Sequence, residues 1–105
     1  MKKILASIGV TVTVAAVAVP ALAAGPTVKV GDNYFKAKTV RIKPGTTVKW
    51  TWVGSDSHNV RFSSFGSKLQ NGGTYRHTFK KRGTFRYVCT LHKDQGMRGT
   101  VIVGG

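Results

Sequence analysis

The stretch "TTVKWTWV" (residues 46–53) can be extended but cannot be an amphipathic helix. Successive side chains of a strand point to opposite sides, so Val48, Trp50 and Trp52 fall on one face and Thr47, Lys49 and Thr51 on the other. No segment after residue 24 carries a helical period. The remainder is short alternating or β-branched runs: "TVKV" (27–30), "KTVRI" (38–42), "HNVRF" (58–62), "TYRHTF" (74–79), "TFRYVC" (84–89) and the closing "GTVIV" (99–103). In "TYRHTF" Tyr75, His77 and Phe79 share a face, and in "TFRYVC" Phe85, Tyr87 and Cys89 do. Turn signals separate the runs, among them Gly31-Asp32-Asn33 and Lys43-Pro44-Gly45, where proline pre-sets φ. About seven short strands at this spacing predict an all-β fold, a compact antiparallel Greek-key β-sandwich. Residues 63–73, "SSFGSKLQNGG", read as a loop with room for a single turn at Ser67 to Gln70.

The first 23 residues stand outside that pattern. A positive "MKK", sixteen mostly apolar residues and a "PALA" ending have the form of a secretory signal peptide over residues 1–23, cut after Ala23 or Ala24. This implies an exported protein, with the periplasm as its compartment. An uncleaved anchor is the alternative, but the apolar run is short against the roughly 20 residues a spanning helix needs. The domain is then residues 24–105. So small a domain buries a thin core and often needs a staple. Its single cysteine cannot form an internal disulfide, which leaves a metal or a partner.

That cysteine has notable neighbours. His92 follows Cys89 by three residues and Met97 by eight, giving a thiol, an imidazole and a thioether on one nine-residue hairpin. A lone buried cysteine is ordinarily a small hydrophobe, and a lone loop methionine is filler. Together, and with His58 opening "HNVRF" to supply a second imidazole, they form a metal-ligand set. Two histidines, a cysteine and a weak axial methionine describe a type 1 copper centre. Structural zinc takes four ligands from Cys and His, and a thioether suits it poorly, so Met97 tilts the choice to copper.

The pairing of "HNVRF" with "GTFRYVCTLHKDQGMRGTVIV", after "KTVRIKPGTTVKWTW", closely resembles the cupredoxins, in particular the plastocyanin and pseudoazurin branch. The likeness covers nearly all of residues 24–105. It implies one copper ion, cycling between Cu2+ and Cu+, on His58, Cys89, His92 and Met97. It also implies outer contacts: the Asn59 backbone amide donating to the Cys89 sulfur, and the Asn59 side chain and Thr90 hydroxyl tying the two ligand loops together. Hydrogen bonds to a thiolate tune its potential, and fixed ligands spare the site from rearranging. His92 would project through an apolar surface as the point of electron entry and exit. Leu91 stands where plastocyanins often have proline, Lys93 and Asp94 charge the rim, and the spacing from His58 to Cys89 is short for a plastocyanin.

The function expected is electron transfer without substrate turnover. A copper delivery or sequestration module is the alternative, requiring an exchangeable site. A multicopper oxidase needs many histidines, and the whole chain has three. A cysteine hydrolase needs an exposed nucleophile with a base and an oxyanion hole, which Cys89 at the end of an apolar strand does not suggest. Without Lys2 and Lys3, fifteen cations face three acids, a net charge of +12. Such a field steers acidic partners and is weakened by salt. The partners expected are redox proteins with acidic docking faces, a cytochrome or a copper or quinoprotein enzyme. The aromatic residues alternate into core patterns, which argues against a nucleic-acid reader. The domain is expected to be a monomer with no membrane span after cleavage, and His77 a half-buried structural residue.

Overall fold

The computed structural model describes residues 23–104. Apart from Ala23, the expected leader lies outside the described residues. Seven strands form two sheets: β1 (Ala23–Gly31), β2 (Tyr34–Lys36), β3 (Thr39–Ile42), β4 (Thr46–Trp52), β5 (Thr74–Phe79), β6 (Gly83–Val88) and β7 (Arg98–Val103). One sheet has the order β2-β1-β4-β5 and the other β3-β7-β6. A single 3-10 turn, Lys93–Gln95, lies between β6 and β7.

The alternation in β4 builds the core as expected. Val48, Trp50 and Trp52 are all buried, and Trp50 sits at the centre of an aromatic cluster. Its ring centroid lies 5.5 Å from Tyr87, 5.6 Å from Tyr75 and 5.9 Å from Phe62. The Tyr87 and Phe62 contacts are edge-on, the favoured arrangement for aromatic quadrupoles. Tyr87 and Cys89 are buried on the opposing sheet's side, and Phe85 is half-buried beside them. Burial pushes the Tyr87 hydroxyl up to about 12.

Three details of the expectation are corrected. The sheets are not wholly antiparallel, since β1 runs parallel to β4 and β3 parallel to β7. The chain crosses from the first sheet to the second after β2 and returns with β4, so β4 re-enters in the direction of β1. Second, "HNVRF" is not a ladder strand. Its residues take different partners one at a time, His58 with Gln70 and Arg61 with both Gly66 and Val88. Third, Ser67 to Gln70 forms no helical turn. Ser67 is latched across to Val60, whose carbonyl takes the Ser67 N–H at 2.8 Å and whose N–H donates to the Ser67 hydroxyl at 2.9 Å. These bonds hold the segment extended.

The directions of the strands gather particular loops at one end. Gly31, Trp52 and Val88 end β1, β4 and β6 there, and Thr74 and Arg98 begin β5 and β7. The β1–β2 turn, residues 53–73 and residues 89–97 therefore share that end.

Candidate metal centre

His58 is delivered by the loop that leaves β4. Its N–H and C=O pair with Gln70 at 2.9 and 3.0 Å, and the Trp52 indole N–H donates to its carbonyl at 3.1 Å. The residue is fully buried with its backbone held by three hydrogen bonds.

Cys89 follows β6 directly, and its loop is closed by its own backbone. Cys89 N–H donates to Met97 O at 3.0 Å, His92 N–H to Cys89 O at 3.1 Å and Met97 N–H to His92 O at 3.2 Å. Gly96 ends the 3-10 turn at φ +87, a left-handed conformation that suits glycine. Those bonds tie Cys89, His92 and Met97 into one compact unit.

The side chains converge. His58 Nδ1 and His92 Nδ1 lie 3.2 Å apart, and Cys89 Sγ lies 3.5 Å from His92 Nδ1 and 3.8 Å from His58 Nδ1. A circle through these three atoms has a radius of about 2 Å, close to the roughly 2.0–2.3 Å bonds that zinc makes to imidazole nitrogen and thiolate sulfur. Two imidazole nitrogens and a thiolate sulfur form a borderline-to-soft set that suits copper. The three residues are positioned as a metal site.

Residues 24–104 match the copper-binding proteins of the plastocyanin/azurin family. The chain belongs to that family. Amicyanin-alpha of Methylorubrum extorquens is 35% identical over a 111-residue alignment covering 94% of this chain and 92% of the relative. Halocyanin of Natronomonas pharaonis is 39% identical over 77 residues, 66% of this chain, and the match spans 47% of halocyanin's length. Among solved structures, a purple cupredoxin from Nitrosopumilus maritimus shares the fold, with a TM-score of 0.68 at 24% identity over 76% of this chain and 100% of that one. Copper is thus the cofactor of this cupredoxin, and His58, Cys89 and His92 form the site shaped for it.

The remaining expected site residues are bonded to, or next in the chain to, those three. Met97 is fully buried, and both its backbone groups bond to the other residues of the loop. Asn59 and Thr90 join the two ligand loops: Thr90 N–H donates to Asn59 Oδ1 at 2.8 Å and Asn59 Nδ2 donates to Thr90 Oγ1 at 3.1 Å. His92 is half-buried while His58 and Cys89 are sealed, and its neighbour Leu91 is 55% exposed. The other exposed large hydrophobics, Tyr34, Val53 and Leu69, also lie on segments at the metal end.

One residue at the centre reads in the sequence only as part of a turn. Asp32 Oδ1 is 2.9 Å from His58 Nε2. The hydrogen bond from His58, then those from the backbone amides of Asp56 and Ser55, hold the Asp32 carboxyl well below the usual carboxylate range. Its only sequence signal is scarcity, as one of three acids. All three acids lie in loops of the metal end. The turns at the far end carry Lys43, Lys80, Lys81 and Arg82, and no acidic side chain among the described residues.

Proposed function

We propose that this cupredoxin is an exported electron carrier with a type 1 copper centre. The observation that carries the reading is the Cys89–His58–His92 triangle, in which one sulfur and two imidazole nitrogens meet at metal-bonding separation. Bound copper supplies a one-electron Cu(II)/Cu(I) couple. Cys89 would contribute the anionic sulfur, His58 a sealed imidazole and Met97 a weak thioether donor. The hydrogen-bond contacts of the Cys89 sulfur among the described residues are those with His58 Nδ1 and His92 Nδ1, and the expected bond from the Asn59 amide is not one of them. A ligand loop closed by its own backbone bonds, and clasped through Asn59 to the loop carrying His58, resists rearrangement when the metal changes valence. The same closure disfavours an exchangeable delivery site.

Half-buried beside Leu91, His92 is the ligand assigned to pass the electron to and from a partner. Partners with acidic docking faces fit the net charge of +12 on residues 24–105. Export rests on the form of residues 1–23, and no helix among the described residues is long and apolar enough to cross a membrane. The test is to express residues 24–105, add Cu(II) and record the visible spectrum. An intense thiolate-to-copper band, absent from Cys89→Ser, is expected. A colourless protein would refute the reading.

A further inference from the structure

Asp32 sits in the two-residue turn between β1 and β2, far along the chain from His58, yet reaches that buried imidazole. Its other bonds come from the loop that leads to His58. Ser55 N–H and Oγ–H donate to Oδ2 at 3.2 and 3.3 Å, and Asp56 N–H donates to Oδ1 at 3.0 Å. The loop therefore wraps the carboxylate before delivering His58 to it. Gly54 permits the wrapping, because a Cβ there would collide with Asp32 Oδ1 and stand only 2.8 Å from the Asp32 backbone nitrogen.

A neutral imidazole has one N–H and one lone pair, and the partner of one nitrogen decides the state of the other. An ionised carboxylate can only accept a hydrogen bond. His58 Nε2 thus carries the hydrogen, and the Nδ1 lone pair faces Cys89 Sγ and His92 Nδ1. The Trp52 and Gln70 bonds hold the His58 backbone, but none of them touches the ring. On the ring's far side the carboxylate is the partner that sets its tautomer.

We propose that Asp32 is a positioning residue of the copper centre: its carboxylate fixes the tautomer and orientation of His58, and its charge makes Nδ1 a stronger donor that favours oxidised over reduced metal. This rests on the copper reading of the centre. The two parts separate, because Asp32→Asn keeps the acceptor oxygen facing His58 while removing the charge, its amide nitrogen giving up only the Ser55 N–H bond on the side away from His58.

The experiment compares wild type, Asp32→Asn and Asp32→Ala. Copper-loaded Asp32→Asn is expected to keep the intense visible band while its preference for Cu(I) over Cu(II) rises about tenfold, ~59 mV in a one-electron potential. Asp32→Ala leaves the Nε2–H without its acceptor, and Zn(II) titrated into the metal-free protein should bind about 10–100-fold more weakly, as loss of such outer partners typically does. Asp32→Asn should restore most of that affinity. An unchanged potential in Asp32→Asn would overturn the charge effect, and undiminished Zn(II) affinity in Asp32→Ala would overturn the positioning role. If wild type shows no thiolate band, the copper reading fails, and the Zn(II) arm still decides the role of Asp32.

Discussion

Asn59 holds Thr90 by both ends of its carboxamide: Oδ1 accepts the Thr90 N–H at 2.8 Å and Nδ2 donates to the Thr90 hydroxyl at 3.1 Å. Each residue is the immediate chain neighbour of a metal-site residue, His58 and Cys89. The clasp therefore fixes the distance between the two loops that must share one ion. Asn59→Ala is expected to destabilise the metal-free domain by about 1 kcal/mol, the ordinary net contribution of a hydrogen bond. It should also hasten transfer of copper to a chelator. A double-mutant cycle with Thr90→Ala should be non-additive, because the first substitution already removes the partner of the second. Denaturant melts of the four proteins measure this, and strict additivity would mean that the clasp carries no coupling.

Met97 is buried at the end of the ligand loop, with its carbonyl bonded to the Cys89 N–H at 3.0 Å, and is proposed as the weak thioether donor. A thioether is a weak donor to Cu(II), so removing it destabilises the oxidised state relative to the reduced one. Met97→Leu conserves volume and should cost less than about 1.5 kcal/mol of stability. The visible band should persist and the reduction potential should rise. Voltammetry of the two proteins checks this, and an equal potential would remove Met97 from the metal.

How far the sequence disclosed the centre depended on the range of the contact. Cys89 and His92 were legible because a short hairpin keeps them together whatever else folds. Val48, Trp50 and Trp52 were legible because a period of two survives in a seven-residue strand. Strand β2 was not, since three residues with only Phe35 buried show no period. "HNVRF" alternates like a strand, but a pattern of side chains does not reveal whether the backbone finds consecutive partners. Asp32 was hidden for a topological reason. It approaches His58 only because β1 and β4 lie side by side in parallel, pairing Val30 with Trp52 and so placing the loops that follow them together.

Charge gives a prediction at longer range. Lys93 and Arg98 flank the half-buried His92, and Arg98 folds back so that its Nε–H donates to the Lys93 carbonyl at 3.2 Å. Only Asp94 opposes them within that loop. Against an acidic redox partner the second-order transfer rate should fall by about tenfold or more as salt rises from low to high ionic strength, because the field that steers encounter is screened. Lys93→Gln should flatten that dependence slightly. Stopped-flow rates across a salt series decide it, and a rate indifferent to salt would reject acidic docking.

His77 supplies a pH prediction independent of the metal ligands. Its ring stacks on Phe65 with centroids 4.0 Å apart and planes 18° apart, and meets Phe79 edge-on at 4.7 Å. Burial disfavours the charged imidazolium, so the folded-state pKa lies below the ordinary value of 6.5. The unfolded chain takes up a proton near that ordinary value, while the folded domain takes it up only at lower pH. Within this window the unfolded state binds more protons, so acidification favours unfolding. The contribution of His77 is fully present above about pH 6.5 and is lost as pH falls toward the folded-state value. His77→Gln removes the titrating group along with some aromatic contact. The variant should be less stable than wild type at neutral pH, and its deficit should shrink as the solution is made acidic. Melting temperatures of both proteins at stepped pH values read this directly, and parallel profiles would show that His77 is not held neutral by the core.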